Sequence, residues 1–207
     1  MLEDLKKDII YYGHLAGKKD LTCGISGNIS IRKGDDVVIT SSGSANGYLT
    51  DSDLSVIDFA GNVTEGNPKP SSERFLHLKY YQSREDIQCV FHVHCPYLTA
   101  YASAGIALED GISPEIIYCF GKIPLAKYAL PGSNDLVEET LKYFKDYDVI
   151  LMQNHGVIVG GKDIKDTYLK LELAECYAKT NICAKILGGA KILDDSEIKK
   201  IYELRQN

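Results

Sequence analysis

Val90-Phe91-His92-Val93-His94 is an apolar run in which two histidines stand at alternate positions. Its aromatic and β-branched residues favour a strand. Residues two apart in a strand lie on the same face, about 6.7 Å apart along the chain, so both imidazoles can converge on one cation. The same pattern also fits two half-buried polar residues on an edge strand. The histidine pair alone therefore does not establish metal binding. Further candidate ligands have to come from the rest of the chain.

The length and charge of the chain limit what it can be. Its 207 residues suffice for one substantial core but not comfortably for two, so we expect a single domain over residues 1–207. A formal net charge of −6 argues against nucleic-acid binding. No apolar run is long enough to predict a membrane span, and the charged N-terminus is unlike a signal peptide. We therefore expect a cytoplasmic protein with neither nucleic-acid nor membrane partners.

The six cysteines are scattered without a Cys-X-X-Cys pair. In a chain of this size they indicate reduced thiols, most of them filling the core, in a reducing cytoplasm. Cys95 follows His94 directly, but its side chain should point to the opposite face of the strand. We interpret Cys95 as structural.

Strand-like and helix-like segments alternate irregularly along the chain. The clearest strand is Asp148-Val149-Ile150-Leu151-Met152, which delivers Gln153-Asn154-His155-Gly156 into a turn before another apolar strand. A long helix is predicted from about residue 163 to 187. Residues 116–119 and 123–126 are predicted to be short strands or extended segments. This alternation favours one α/β domain around a mixed sheet.

Other polar residues can join the histidine pair. His155 lies at the mouth of the clearest strand and could reach His92 and His94 from an adjacent strand end. Three histidines with an open fourth position are typical of catalytic zinc sites. Glu73 stands at a predicted helix start. His77, four residues later on the same helix face, is interpreted as an orienting or packing residue rather than a ligand.

Three loops of small polar residues could surround a phosphate. Glycine lets the backbone approach an anion closely, and serine and asparagine donate neutral hydrogen bonds. One of the loops also precedes a helix N-terminus, which favours negative charge. Each loop alone is better explained as an ordinary turn. The candidate phosphate-binding residues are Gly27, Asn28, Ser42, Gly43, Ser71 and Ser72.

Five motifs occur together in the order and spacing of one known family. They are Ser26-Gly27-Asn28-Ile29-Ser30, Thr40-Ser41-Ser42-Gly43, Pro70-Ser71-Ser72-Glu73, His92-Val93-His94 and Asn154-His155-Gly156. No single motif is specific, but the set resembles the class II aldolase/adducin family over essentially the whole chain. The resemblance implies a three-layer α/β/α sandwich around a central mixed, largely antiparallel sheet. It also implies a homotetramer with active sites between neighbouring subunits.

The resemblance assigns a role to each motif. The three loops would hold the phosphate of a small phosphorylated sugar. His92, His94 and His155 would bind one Zn²⁺ per subunit. Glu73 would be a fourth ligand in the resting enzyme, displaced by substrate to become the general base. Zn²⁺ would stabilise an enediolate while the carboxylate shuttles a proton on the adjacent carbon.

These roles predict a zinc-dependent aldolase. It would reversibly split a small ketose 1-phosphate, such as L-fuculose 1-phosphate, into dihydroxyacetone phosphate and a short aldehyde such as lactaldehyde. Glutamate rather than aspartate at position 73 favours this branch of the family. A pentulose-phosphate 4-epimerase and a methylthioribulose-1-phosphate dehydratase are alternatives that share the metal site. A non-catalytic adducin-like interaction domain is a remote alternative, because such relatives should lose the histidine triad.

The aldehyde half of the predicted site departs from the family pattern. Aldolases of the family use a tyrosine from the neighbouring subunit as proton donor. The corresponding segment here, Gly111-Ile112-Ser113-Pro114-Glu115, has no tyrosine before Tyr118. An aromatic residue that helps to enclose the aldehyde is replaced near Pro131. Tyr128 is the pocket candidate by position, although core packing is the commoner role of a lone tyrosine.

Overall fold

The computed structural model describes residues 2–109 and 111–206. Within these ranges the strands are β1 (Asn28–Lys33), β2 (Asp36–Thr40), β3 (Leu54–Ile57), β4 (Val63–Gly66), β5 (Cys89–Val93), β6 (Leu125–Ala126), β7 (Val149–Met152) and β8 (Gly156–Gly161). The α-helices in the same ranges are α1 (Leu2–Lys18), α2 (Arg74–Ser83), α3 (Pro96–Ala104), α4 (Pro114–Cys119), α5 (Asn134–Phe144), α6 (Ile164–Ile186) and α7 (Asp195–Gln206). Among the described residues, we find no helix with the length and apolar character needed to cross a membrane.

All of these strands belong to one sheet, in the spatial order β4-β3-β2-β1-β5-β8-β7-β6. Neighbouring strands are antiparallel except β6 and β7, which run parallel. Strand β5 lies near the middle, with His92 opposite Asn28 of β1 on one side and Ile158 of β8 on the other. The predicted mixed, largely antiparallel sheet is confirmed.

Helices cover both faces of the sheet, because its residues alternate between two apolar cores. In β5, Phe91 belongs to the core beneath α1, α3, α4 and α6. Its neighbour Val90 belongs to the opposite core, beneath α2 and α5. This arrangement is the predicted three-layer α/β/α sandwich, which the fold confirms.

Residues 116–119 are helical, and the predicted short strand there is wrong. A run of four apolar residues fits either a strand or a buried helix, so periodicity alone does not distinguish them. Pro114 occupies the first turn of α4, where its fixed φ and missing N–H suit a helix start. The second segment is closer to the prediction: Leu125–Ala126 form β6, and Ile123 makes an isolated bridge with Leu108.

Strand β4 has no counterpart among the predicted strands. All of its residues are exposed, so it lacks the apolar alternation that marks a half-buried strand. It is held by antiparallel pairing with β3, in which Ser55 lies opposite Gly66. An edge strand of this kind depends on its neighbour and not on its own side chains.

The expectation that most cysteines fill the core is wrong. Cys89 and Cys95 are buried, as predicted for core thiols. All six cysteines are free thiols. Four of them are exposed on loops and helix surfaces: Cys23, Cys119, Cys176 and Cys183. Cysteine tolerates burial well, but a position in the sequence does not reveal whether it is buried.

Candidate active site

Three imidazoles converge where β5 ends and β8 begins. His92 Nε2 lies 3.1 Å from His94 Nε2. The potential ligand atoms of His92, His94 and His155 all lie within 4.8 Å of one another. The structure therefore brings together the three histidines that the sequence singled out, in a cluster that could hold a metal ion.

Backbone geometry places each of the three rings. His92 belongs to the buried centre of β5, and His94 follows directly after the last residue of that strand. His155 lies in the tight turn between β7 and β8, after Asn154, whose φ is +55°. Gly156 then packs so closely that a Cβ at its position would lie 2.7 Å from His94 Cδ2. Only glycine allows this turn to lie against the His94 ring.

The carboxylate of Glu73 faces the imidazoles from the start of α2. Its Oε2 lies 3.2 Å from His92 Nε2, and its Oε1 lies 3.4 Å from His155 Nε2. Asn28 Nδ2 donates to Oε2 at 3.1 Å. The Glu73 backbone N–H donates to Ser71 Oγ at 3.2 Å, which fixes the chain just before the helix. Glu73 is the N-cap residue of α2 rather than a residue of its first turn.

The ionisation states of these groups suit cation binding. Burial alone would raise the pKa of Glu73, but the imidazoles of His92 and His155 and the amide of Asn28 outweigh it and hold the pKa well below its ordinary value. Burial, reinforced by the neighbouring His92, lowers the pKa of both His94 and His155 to about 4. Both rings are therefore neutral near pH 7, as metal ligands must be.

The hydrogen bonds of His92 show that a positive charge belongs in this cluster. Its Nδ1 lies 3.0 Å from Val157 O and must be the donor, since a carbonyl oxygen only accepts. Its Nε2 therefore faces His94 Nε2 and Glu73 Oε2 at 3.1 and 3.2 Å. In the neutral ring, His92 Nε2 and Glu73 Oε2 would both be acceptors. A proton on His92 or a cation between these two atoms resolves their contact. Burial alone would lower the pKa of His92, but the Glu73 carboxylate raises it.

The donor set fits a metal ion that would replace this proton. Three imidazole nitrogens and one carboxylate are ligands typical of Zn²⁺ sites. Glu73 Oε1 is buried without a hydrogen-bond partner among the described residues, so its lone pairs are free to coordinate. We conclude that His92, His94, His155 and Glu73 fit a divalent cation.

The three small-residue loops lie side by side at this end of the sheet. Ser41 forms an isolated β-bridge with Pro70, which joins the second loop to the third. Ser71 N–H donates to Thr40 O at 3.1 Å. Thr40 Oγ1 in turn accepts from Ile29 N–H at 3.1 Å, which joins the first loop to the second. Their common location is consistent with the predicted phosphate site.

The six candidate phosphate residues differ in exposure. Ser71 and Asn28 are buried, and the Asn28 amide is engaged with Glu73. Gly27 is in the left-handed region at φ +76°. The remaining three are exposed and available to a ligand: Ser42, Gly43 and Ser72. Phosphate binding by this set stays a prediction.

Comparison with known proteins agrees with the site. A family model described as Class II Aldolase and Adducin N-terminal domain matches residues 7–182. The chain belongs to this family. It is an enzyme of the class II aldolase type, as the names and coverage of its relatives indicate.

Several relatives within this family cover most of the chain. The L-fuculose phosphate aldolase of Methanocaldococcus jannaschii is 39% identical over 77% of this chain and 85% of its own. The 5-deoxy-D-ribulose 1-phosphate aldolase of Bacillus thuringiensis is 32% identical over 97% and 95%. The 3-oxo-tetronate 4-phosphate decarboxylase of Haemophilus influenzae is 33% identical over 95% of each chain.

A solved member of the family has the same fold. An L-fuculose 1-phosphate aldolase superposes with a TM-score of 0.90 at 31% identity, covering 99% of this chain and 97% of its own. The mixed sheet and the helical layers described above are therefore those of the class II aldolase fold. Relatives with three different activities in their names belong to this family, so membership alone leaves the substrate open.

Tyr128 lies in the segment that connects two parts of the site. Its backbone N–H donates to Gln153 Oε1 at 3.3 Å, two residues before His155. A few residues later, a Cβ at Gly132 would lie 3.8 Å from the Ser72 side chain. The Tyr128 ring is 55% exposed, which excludes the core-packing role. Its part in the reaction stays a prediction.

Two polar contacts near the site are not among the features predicted from sequence. Asn28 is a predicted phosphate residue, and its amide also contacts Glu73. Ser30 joins His77 and Tyr81 in a buried cluster directly beside this contact. The spacing of four residues already places His77 on the helix face of Glu73, and the same spacing to Tyr81 is the signal that could have extended this face.

Proposed function

We propose that this enzyme is a zinc-dependent aldolase. It would reversibly cleave a small ketose 1-phosphate, such as L-fuculose 1-phosphate, into dihydroxyacetone phosphate and a short aldehyde such as lactaldehyde. The observation that carries the proposal is the convergence of three imidazole nitrogens and the Glu73 carboxylate beside three polar loops. Metal dependence and phosphate recognition require these two features at one place.

The metal ligands in the proposal are His92, His94 and His155, with Glu73 as a fourth ligand before substrate binds. Nitrogen-rich tetrahedral sites with one replaceable ligand favour Zn²⁺. When bound, the cation supplies Lewis acidity that stabilises the negative charge on the substrate oxygens as the C–C bond breaks.

Glu73 is the proposed proton carrier. Its lowered pKa keeps the carboxylate ionised near neutral pH. In the synthetic direction it would take a proton from the carbon of dihydroxyacetone phosphate that forms the new bond. In the cleavage direction it would return that proton to the same carbon. The Asn28 amide orients the carboxylate for this transfer.

The phosphate would be held by uncharged groups. Ser42, Gly43, Ser71 and Ser72 provide hydroxyls and backbone N–H groups, together with the Gly27-Asn28 turn. Ser71 and Ser72 also precede the N-terminus of α2, whose dipole favours an anion. Tyr128, on the segment between the His155 turn and Ser72, is the proposed residue of the aldehyde side.

We also propose a homotetramer with active sites between subunits. Exposed apolar side chains support an interface, among them Ile186 at 79% and Leu187 at 86% exposure. The functional domain would span residues 1–207, because α7, beyond the matched range, packs on α4. A cytoplasmic location is part of the proposal, and the six free thiols are consistent with a reducing compartment.

One relative favours a second candidate function, decarboxylation of a 3-oxo-tetronate 4-phosphate. Loss of carbon dioxide from a β-keto acid also leaves negative charge next to a carbonyl. The same ligands and the same Glu73 could therefore serve it. The two candidate reactions differ in the group that leaves, which is an aldehyde in the first and carbon dioxide in the second. This group would contact the aldehyde side of the site.

The proposal is tested by a substrate panel run with metal analysis. Purified protein should contain about one Zn²⁺ per chain, and His94→Ala should lose both the metal and the activity. With metal present, the wild type should release dihydroxyacetone phosphate from L-fuculose 1-phosphate or 5-deoxy-D-ribulose 1-phosphate.

Other products would redirect the assignment. Release of carbon dioxide from 3-oxo-tetronate 4-phosphate alone would favour the decarboxylase. Epimerised L-ribulose 5-phosphate or dehydrated methylthioribulose 1-phosphate without aldol product would favour the epimerase or the dehydratase. A wild type that is active without any metal would refute the zinc-dependent mechanism.

A further inference from the structure

Helix α2 turns one face toward strand β1. Glu73, His77 and Tyr81 follow one another at intervals of four residues on this face. Asn28 and Ser30, two residues apart in β1, share the side of the strand that meets it. Asn28 Nδ2 donates to Glu73 Oε2 at 3.1 Å, while Ser30 Oγ lies 2.7 Å from His77 Nδ1 and 2.6 Å from Tyr81 Oη. The contact to Glu73 thus continues directly into a second polar contact.

One arrangement of protons satisfies every contact in this second cluster. The Tyr81 hydroxyl donates to Ser30 O at 3.0 Å. Ser30 Oγ then donates to Tyr81 Oη and accepts from His77 Nδ1–H. This assignment follows from the hydrogen-bond network. It makes His77 a donor that links α2 to the side chain of a central strand.

Packing alone does not explain an imidazole at position 77. His77 and Ser30 are fully buried, and Tyr81 is 1% exposed. His77 Nε2 is buried and has no hydrogen-bond partner among the described residues. Such a nitrogen destabilises the fold. An apolar ring would avoid that cost but would lose the Nδ1–H donor to Ser30 Oγ. The link from α2 to Ser30 is therefore what the imidazole supplies.

We propose that Ser30, His77 and Tyr81 form a positioning unit that holds the Glu73 carboxylate beside His92. Glu73 is the N-cap of α2, so the placement of this helix over β1 determines where its side chain begins. The Ser30 cluster fixes that placement one turn further along the helix. The inference rests on the proposed function, because it assumes that Glu73 must stay within reach of both the metal and the reacting carbon.

Single variants with a matched control test this role. His77→Phe and Tyr81→Phe remove one partner each, and His77→Asn restores a donor near the position of Nδ1. The control is Tyr80→Phe: Tyr80 is equally buried on the same helix, but its hydroxyl donates to Tyr147 O at 2.7 Å, away from β1. We expect His77→Phe and Tyr81→Phe to lower kcat about tenfold with KM within about twofold.

In the same assays Tyr80→Phe should leave kcat unchanged, and His77→Asn should recover part of the loss. Thermal unfolding would show that each variant folds. Equal losses of kcat in Tyr80→Phe and Tyr81→Phe would overturn the proposal, because they would indicate a general packing effect.

A double-mutant cycle separates positioning from general destabilisation. The cycle combines His77→Phe with Glu73→Gln. Metal affinity is measured by chelator competition, and the free energy of unfolding is measured on the metal-free protein. If His77 acts through Glu73, its effect on metal affinity should be about tenfold in the wild type and nearly absent with Glu73→Gln. The unfolding data should likewise be non-additive.

Additive effects in both measurements would refute the positioning role. Failure of the proposed function is a separate result. If the wild type neither binds zinc nor cleaves the substrate panel, the cycle in the metal-free protein still decides whether His77 and Glu73 are coupled.

Discussion

The backbone of the first loop lies against the histidine cluster at Gly27. Its φ is +76°, and a Cβ at this position would lie 2.3 Å from His92 O. Both the conformation and the space therefore require glycine. The next residue, Asn28, can then place its amide on the Glu73 carboxylate. Gly27 thus helps to determine the orientation of Glu73, which is 45 positions after Asn28.

We predict that Gly27→Ala destabilises the protein far more than Gly24→Ala. Both glycines have a positive φ, but nothing lies within 4 Å of a Cβ at Gly24. Gly24→Ala should cost about 1–2 kcal/mol, the penalty of the left-handed conformation. Gly27→Ala adds a backbone clash and should cost more than about 3 kcal/mol. Urea denaturation of the two variants measures the difference, and equal midpoints would contradict the prediction.

The convergence of His92, His94 and His155 could be predicted from sequence, because residue type and position in a strand or turn indicate which imidazoles can meet. Two alternate histidines at a strand end and one in a turn can supply three imidazole nitrogens to one cation, and the resemblance to the family assigns them that role. The partner of Glu73 could not be predicted. The sequence does not distinguish an asparagine that binds phosphate from one that binds a carboxylate. Only the register of β1 against β5 places Asn28 opposite His92.

Helix α3 is capped by a side chain from another helix. Its own N-cap residue, Cys95, makes no side-chain capping hydrogen bond. Instead, Glu175 of α6 accepts from Tyr97 N–H and Leu98 N–H, each at 2.9 Å. A carboxylate at a helix N-terminus satisfies two free donors and complements the dipole. Because α3 starts two residues after His94, this contact also anchors the chain behind one of the three clustered histidines.

We predict that Glu175→Gln lowers the free energy of unfolding by about 1.5–3 kcal/mol. The amide offers one acceptor where the carboxylate offers two, so one N–H of α3 loses its partner. Glu172→Gln is the matched control, because Glu172 lies one turn earlier on α6 in an ion pair with Lys19 at 3.6 Å on the surface. This change should cost less than about 1 kcal/mol. Urea denaturation would disprove the capping role if both variants behaved alike.

Most helices and the apolar strands could be predicted because periodicity and end signals agree. Asp163 caps α6 by accepting from Asp166 N–H at 2.8 Å, and Ser133 caps α5 in the same manner. The elements that differ from the prediction lack such agreement. Residues 116–119 are apolar in a run too short to show a period, and β4 is polar throughout.

At the scale of the whole molecule, the sheet order decides where the site is. Strand β5 pairs with β1 and β8, which are distant in sequence, and this pairing brings both histidine segments together with the first loop. Strand composition contains no information on which strands become neighbours. The class of fold could therefore be predicted from alternation, but the order of the strands could be expected only from the resemblance.

We predict that zinc stabilises the whole fold. A ligand that binds only the native state at about 100 times its Kd adds about 2.7 kcal/mol to the free energy of unfolding. Thermal unfolding with zinc, against a chelator, should show a higher Tm for the wild type. His94→Ala should show no difference, whereas His14→Gln, which alters a histidine bonded to Leu49 O outside the cluster, should keep it. A zinc effect that survives His94→Ala would place the ion elsewhere.

The central position of β5 also bears on how the chain can be made. Strands β1 to β4 form a meander of sequential neighbours, so this half can pair as soon as it is synthesised. One edge of strand β5 then stays unpaired until residues 156–161 have been synthesised and can pair with it. Long-range pairing of this kind is slow and leaves an apolar edge exposed in the meantime. The histidine cluster is thus completed late in biosynthesis, and a nascent chain that ends before β8 has an unpaired β5 edge open to aggregation.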